Sequence, residues 1–426
     1  MRILYFHQYF ATRQRSTATR SYELARRLVE RGHEVTIVSR DTRALEHGRA
    51  RTSRGRLWAR ETVDGIDIVY LAMPYSNYFA GPIRAASFAG FTVAASAAGL
   101  VLPRPDVVFA TSTPLTIGIP GLLVSSLKDV PFVFEIRDLW PDAPIALGAL
   151  RSRPLIAAAK SLEQLLYRRA SRVVVLSEGS RDALTAMGVP AGKLVFVPNA
   201  SDLDLFRPDV RDEGFRLRHG LQDKFIALYT GAMGRGNGLD QLLDAAAVLK
   251  REGMDDVALV AIGDGAARPH LQRRVADEGL SNVLFLPPVP KVDLARIVGA
   301  ADVTLTMFIA GPAFQANSPN KLFDSLAAGR PVVLNLDGWL RRVIEEARAG
   351  MYVPAGDGEA LAAALAALAR EPHVVAAMGA NARALAERDF DRNVMADRLA
   401  EALEDAAGAA GTRGQAPSPG PKALDA

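Results

Sequence analysis

The sequence predicts an α/β protein made of two Rossmann-like, doubly wound domains facing across a cleft. Apolar strand-like runs alternate with amphipathic helical runs along the chain, the order required by a parallel sheet covered with helices on both faces. The alternation pauses over residues 195–208 and then restarts, so two sheets are expected rather than one. At 426 residues the chain is long enough for two ordinary cores.

In the first domain, 1–206, runs rich in Val, Ile and Phe mark strands at 3–7, 34–39, 67–71, 107–110, 132–136 and 172–176, because β-branched and aromatic side chains pack well on a pleated surface. Helical spacing of apolar residues marks 21–31 and 154–170. The second domain, 207–385, repeats the pattern with strands at 225–230, 257–262, 283–286, 303–308, 332–335 and 350–353 and a helix at 239–252. A last helix is expected over 379–406, its 386–407 part crossing back to the first domain. The Gly-, Pro- and Ala-rich stretch 408–426 reads as disordered.

With no cysteine and six histidines, thiol and zinc-thiolate chemistry is excluded, and any metal would need an oxygen-rich shell. The opening run 2–6 is too short for a secretory core, so a cytoplasmic setting is expected, with peripheral contact at the inner membrane face as an extension of it. Residues 85–102 carry no charge, but Ala, Gly, Ser and Thr dominate them, and a buried or interface helix is favoured over a spanning one. Residues 1–60 hold 14 Lys/Arg against 5 Asp/Glu within a chain of net charge +4. That bias suggests an anionic partner, with a solvated arginine-rich loop as the equal alternative.

The loops then limit the ligand. Residues 8–20 contain no glycine, so the G-x-G-x-x-G turn of a dinucleotide site is missing after the first strand. That loop offers Arg13, Arg15, Ser16, Thr17, Thr19 and Arg20, donors for an anion or hydroxyl-rich group ahead of a helix. Thr17 or Thr19 acting only as an N-cap is the competing reading. His7 ends the first strand and faces the cleft mouth, for ligand contact or for loop packing. In the second domain Gly231, Gly234, Gly236, Asn237 and Gly238 lie between a strand and a helix, and Gly263 and Gly265 form a second turn on the same edge. Backbone amides and helix dipoles there suit a nucleotide diphosphate. Ser318 and Pro319 are expected as N-cap and first-turn proline of a helix whose Lys321 and Asp324 share a face. The cation suits a leaving diphosphate and the carboxylate suits ribose; an exposed Lys321–Asp324 ion pair is the alternative.

Gly32-His33-Glu34-Val35-Thr36, Val197-Pro198-Asn199-Ala200 with Asp202, Asp204, Phe206 and Pro208, the turns at 231–238 and 263–265, and the 319–331 segment occur in this order. Jointly they resemble a family-4 glycosyltransferase of the GT-B fold over most of residues 1–400. Arg137-Asp138-Leu139-Trp140-Pro141-Asp142 further resembles the branch that transfers amino sugars such as N-acetylfucosamine in O-antigen, capsule and colanic-acid-like pathways. The resemblance implies a retaining transfer from a UDP-sugar without metal or other cofactor, and it assigns Asp202-Leu203-Asp204 to the interdomain junction rather than to a metal. Of two acids the family usually spaces with seven residues between them, Asp324 matches the second, which typically contacts ribose, while the first falls on Ala316. Gln315 or Asn317 is expected to replace it, with Ser318 and Asn320 completing the donor contacts. Arg235 and Lys321 stand in for the usual phosphate-loop Arg and Lys, and Asp138 for the cleft histidine. The expected catalytic set is therefore Asp138, Lys321 and Arg235. The acceptor expected is a polyprenyl-diphosphate-linked or other glycan, with no nucleic acid partner. A UDP-sugar 2-epimerase and a non-catalytic nucleotide-binding subunit remain as alternatives.

Overall fold

The structure, a computed structural model, describes residues 1–16, 19–41, 58–74, 79 and 81–413. Its first sheet contains β1 (Arg2–Phe6), β2 (Glu34–Arg40), β3 (Trp58–Val63), β4 (Ile66–Leu71), β5 (Val107–Thr111), β6 (Phe132–Ile136), β7 (Arg172–Val175) and β8 (Leu194–Phe196). They lie in the order β3-β4-β2-β1-β5-β6-β7-β8. The second sheet contains β9 (Phe225–Thr230), β10 (Val257–Ile262), β11 (Val283–Leu286), β12 (Val303–Thr306), β13 (Val332–Leu334) and β14 (Gly350–Tyr352), in the order β11-β10-β9-β12-β13-β14. Helices cover both faces, so β5, β6 and β10 are buried at every position and can be apolar throughout.

Two strands depart from the sequence-based expectation. β3 pairs antiparallel to β4 through a turn at Asp64 and Gly65, both at positive φ, which is hairpin geometry. β8 is a three-residue edge strand inside the stretch where the pattern had paused. The expected helix over 379–406 is also two helices, Pro372–Asp389 and Arg392–Arg413. The break occurs because the Ser201 N–H donates to the Phe390 carbonyl and the Arg392 N–H to the Ser201 carbonyl, each at 3.1 Å. The last helix then packs on helix Arg20–Glu30 and on β5 to β8 of the first domain. Residues 408–413, expected to be disordered, belong to that helix; 414–426 lie outside the described residues.

Helix Gly81–Val101 is long and apolar enough to cross a membrane by length and composition, with 22% of its most apolar window buried. It lies along the first sheet through Phe91, Ala95 and Gly99. A side chain at Gly99 would come within 2.6 Å of the Phe6 ring. The largest apolar core runs without interruption from the first domain through Val197, Ala200 and Phe206 into the second.

Candidate active site

The carboxyl ends of both sheets face one cleft, the usual ligand edge of such sheets. A cavity of about 210 Å³ lies there, lined by His7 and Tyr9 after β1, Thr113 after β5, Arg137 and Asp138 after β6, Asn199 at the junction, and Ser318, Pro319 and Asn320 of the second domain. Four of the expected site residues, His7, Asp138, Ser318 and Asn320, thus meet at one place. His7 is buried, and desolvation first, then the Arg137 charge, pushes its pKa well below the usual value. Its ring is therefore neutral. Nε2 faces the obligate donor Arg137 Nη1 at 3.5 Å, so Nδ1 carries the proton and donates to Ser21 Oγ at 2.7 Å. Asp138 Oδ2 accepts the Thr113 hydroxyl at 3.0 Å, which fixes the carboxylate at the cavity wall.

Lys321 stands beside this cavity in the first turn of helix Asn320–Ala327. Its Nζ is buried, has no hydrogen-bond partner among the described residues, and sits 3.6 Å from the Tyr229 ring centroid. Burial lowers its pKa to about 7. A side chain at Gly231 would come within 3.4 Å of this Nζ. An unpaired buried ammonium next to a glycine turn and a helix N-terminus is arranged to meet an anion. The Lys321–Asp324 pair is thereby excluded.

Other expected contacts have different work. Gly263 and Gly265 sit at positive φ, and side chains there would come within 1.8 Å of the Gly231 carbonyl oxygen and 2.6 Å of the Met233 carbonyl. These glycines let the two turns lock together, with the Gly231 N–H donating to the Ile262 carbonyl and the Met233 N–H to the Asp264 carbonyl, each at 2.9 Å. The Asn237 side chain folds back to accept the Gly234 N–H at 3.1 Å. Gly236 faces Leu147 of the first domain and Phe314, each 3.5 Å from an added Cβ. Arg235 is exposed on this turn.

Thr19 holds the N-cap position of helix Arg20–Glu30, its carbonyl accepting the Glu23 N–H at 2.9 Å, but its side chain makes no capping bond and its hydroxyl accepts Lys291 Nζ at 3.0 Å, which corrects its reading as a ligand donor. Thr17 lies outside the described residues. Ser318 does not cap its helix, since Pro319 holds that position; its Oγ accepts the Asn199 N–H at 3.3 Å. Asp324, expected to contact ribose, is buried: its Oδ1 accepts the Ser201 hydroxyl at 3.1 Å and lies 3.6 Å from Lys291 Nζ. Burial raises its pKa despite the Lys291 and Arg392 charges. Gln315 is exposed, and the Asn317 carbonyl accepts the Trp339 indole N–H at 3.2 Å; neither lines the cavity. Ala316 abuts the first domain, 3.2 Å from an added Cβ at Gly179, so the opposite domain leaves little room for an acid there.

Two matches with known proteins agree with this architecture. The first is to "Glycosyl transferase 4-like domain" over residues 17–200 and the second to "Glycosyl transferases group 1" over residues 224–371. The chain belongs to the family-4, group 1 glycosyltransferases. The chain is 29% identical to the D-inositol 3-phosphate glycosyltransferase of Paenarthrobacter aurescens, over 55% of its own length and 58% of that relative's. It is 26% identical to the "Putative colanic acid biosynthesis glycosyl transferase WcaI" of Escherichia coli, over 55% and 58% of the two chains. The chain thus spans less than two thirds of the length of these two curated relatives. HepE of Anabaena, solved in complex with UDP-glucose, superposes with a TM-score of 0.68 at 18% identity over 95% of the chain and all of HepE, which shows the GT-B fold.

What sequence reasoning missed is the charged clasp behind the cavity. Asp202 is fully buried and receives Arg392 Nε at 2.9 Å and Lys291 Nζ at 3.1 Å, with Arg27 at 3.5 Å. Burial opposes its charge, yet Arg392, Lys291 and Arg27 hold its pKa far below the carboxylate range. Arg20 grips Glu135 at 2.8 Å and donates to the Val197 and Pro198 carbonyls. Arg13 pairs with Glu23 and Asp204. Arg13, Arg20 and Arg27 therefore neutralise acids of this chain and are withdrawn from the cations the sequence offered to an anionic partner; 42–57, with five further arginines, lie outside the described residues. Among the described residues no group of three His, Asp or Glu is placed to hold a metal ion.

Proposed function

We propose that this chain transfers an N-acetylated amino sugar, with retention, from a UDP-sugar to a polyprenyl-diphosphate-linked glycan during cell-surface polysaccharide synthesis at the inner face of the membrane. The observation that carries the donor side is the unpartnered Lys321 Nζ between the Gly231 turn and the cavity. The UDP-glucose complex of HepE supports UDP as the nucleotide, and the likeness to WcaI, with the Arg137 to Asp142 run, supports the pathway and sugar class. In this reading the diphosphate lies on Lys321 and the amides of helix Asn320–Ala327, and the sugar enters the cavity beside Asp138 and His7.

The acceptor hydroxyl oxygen bonds to the anomeric carbon on the face from which UDP departs. The carbon–oxygen bond to the β-phosphate breaks with its electron pair, and the acceptor proton passes to the leaving phosphate oxygen. Charge on the leaving group is met by Lys321 and the helix amides, where preorganised donors have their largest effect. Asp138, held by Thr113, and neutral His7 orient hydroxyls. No step asks for a metal.

Incubating the protein with a panel of UDP-sugars, with and without a lipid extract, and measuring UDP tests the reading. UDP release that depends on the extract is expected. An epimerised sugar without UDP release, or binding alone, overturns it.

A further inference from the structure

The first domain carries an apolar surface that the transfer site leaves unused. Helices Gly81–Val101, Gly118–Lys128 and Arg153–Arg169 lie side by side over one face of the first sheet, their inner sides filling a core through Phe91, Val124 and Leu166. Their outer sides expose Val101 (81%), Val93 (70%), Leu127 (65%), Leu155 (60%) and Ile83 (56%). Within the first two helices the only charged residues are Arg84 and Lys128, both basic. Large apolar side chains exposed together on neighbouring helices mark an interaction site.

The border of the patch is cationic. Arg104 donates to the Lys128 and Asp129 carbonyls at 2.8 and 2.7 Å, which ties two helix ends together and sets Arg104 and Lys128 beside Val101 and Leu127. Next to them, Arg168 and Arg169 line a surface cavity of about 610 Å³ with Arg172 and Lys193. The acids there are Asp129 and Asp405, the latter 3.8 Å from Arg172, so cations remain in excess.

We infer that this face docks on an anionic phospholipid bilayer, with the apolar residues in the headgroup boundary and the border cations on lipid phosphates. A second copy of the chain fits less well, because it would bring two basic borders together. Crossing the bilayer would strip the Phe91, Ala95 and Gly99 stripe from the sheet it covers. The helix starts at Gly81 on the side where β4 ends, the cleft side of the sheet, whereas the cationic border lies where β5, β6, β7 and β8 begin, the opposite edge, so the docked face runs the full length of the domain. This inference deepens the lipid-linked acceptor reading and rests on it for its purpose.

The test floats the full chain with vesicles of phosphatidylcholine alone or with about one quarter phosphatidylglycerol. Flotation with the anionic vesicles is expected, falling roughly tenfold in the exposed double substitution V93D/L127D and also in high salt. Circular dichroism melting identical to that of the parent shows that the variant folds. Absence of flotation, resistance of bound protein to alkaline carbonate, or light scattering in which the substitution abolishes a dimer while vesicle binding is unchanged, each overturns the inference. UDP release with a water-soluble diphosphate-linked acceptor analogue separates the two readings: release without flotation overturns the docking surface, and flotation without release overturns the transfer reading.

Discussion

At the residue scale, Lys321 is held in an environment that opposes its own charge. Its folded-state pKa of about 7 lies below the ordinary lysine value of 10.5, so the ammonium costs stability. The sign follows: the cost is full below pH 7 and disappears as pH rises past 10.5. Replacing it with methionine should raise the stability of the ligand-free protein by roughly 1–3 kcal/mol at neutral pH while cutting turnover roughly tenfold to a thousandfold. Calorimetry beside UDP-release kinetics checks both. Affinity for UDP-sugar should also weaken above pH 7, since binding must then recruit a proton, and Lys321→Arg should remove that slope. Unchanged turnover in Lys321→Met would take this side chain out of the reaction. The spacing of Pro319, Lys321 and Asp324 made the lysine legible, because all three lie within one turn and a half of one helix. Asp324 misled, since its partners Ser201 and Lys291 come from elsewhere in the chain.

At the element scale, the two glycine turns form one object. Gly231 is open toward Lys321, whereas Gly263 is needed because its neighbour's carbonyl occupies the space of a side chain. Gly263→Ala should therefore cost roughly 2–4 kcal/mol and weaken UDP binding through displacement of the Gly231 turn. Thermal melting and calorimetric titration check it, and a variant with parental stability would sink the packing argument. Strand–turn–helix order located these turns in the sequence, but which glycine faces the ligand depends on the register of β9 against β10, a tertiary property. β3 escaped for another reason: Trp58–Val63 is an edge strand with Trp58, Arg60 and Thr62 exposed and Glu61 on its inner face, so no apolar alternation marks it, and only the Asp64-Gly65 pair signalled the hairpin. The single expected terminal helix split at Phe390 because its partner, Ser201, is supplied by the distant junction.

At the scale of the whole molecule, Lys291 ties together both domains and the junction. Its Nζ touches Thr19 across 272 residues of sequence and Asp202 across 89, with Asp324 at 3.6 Å. Such separations hide a clasp from any local pattern, although the junction acids themselves were recognisable. Asp202 stays charged far below the carboxylate range, so the clasp's contribution is present above pH 3.8 and is lost as pH falls beneath it. Lys291→Met keeps most of the side-chain volume but leaves buried carboxylates short of a cation, which should cost roughly 3–5 kcal/mol. Thermal melting reads that loss, and Lys291→Arg should restore part of it. A purely structural role would stop there. If the clasp also holds the cleft shut against water, Lys291→Met should raise UDP release without acceptor relative to release with it, and enlarge the radius of gyration measured by small-angle X-ray scattering. A variant that melts early but keeps both the parental release ratio and the parental radius would confine Lys291 to folding.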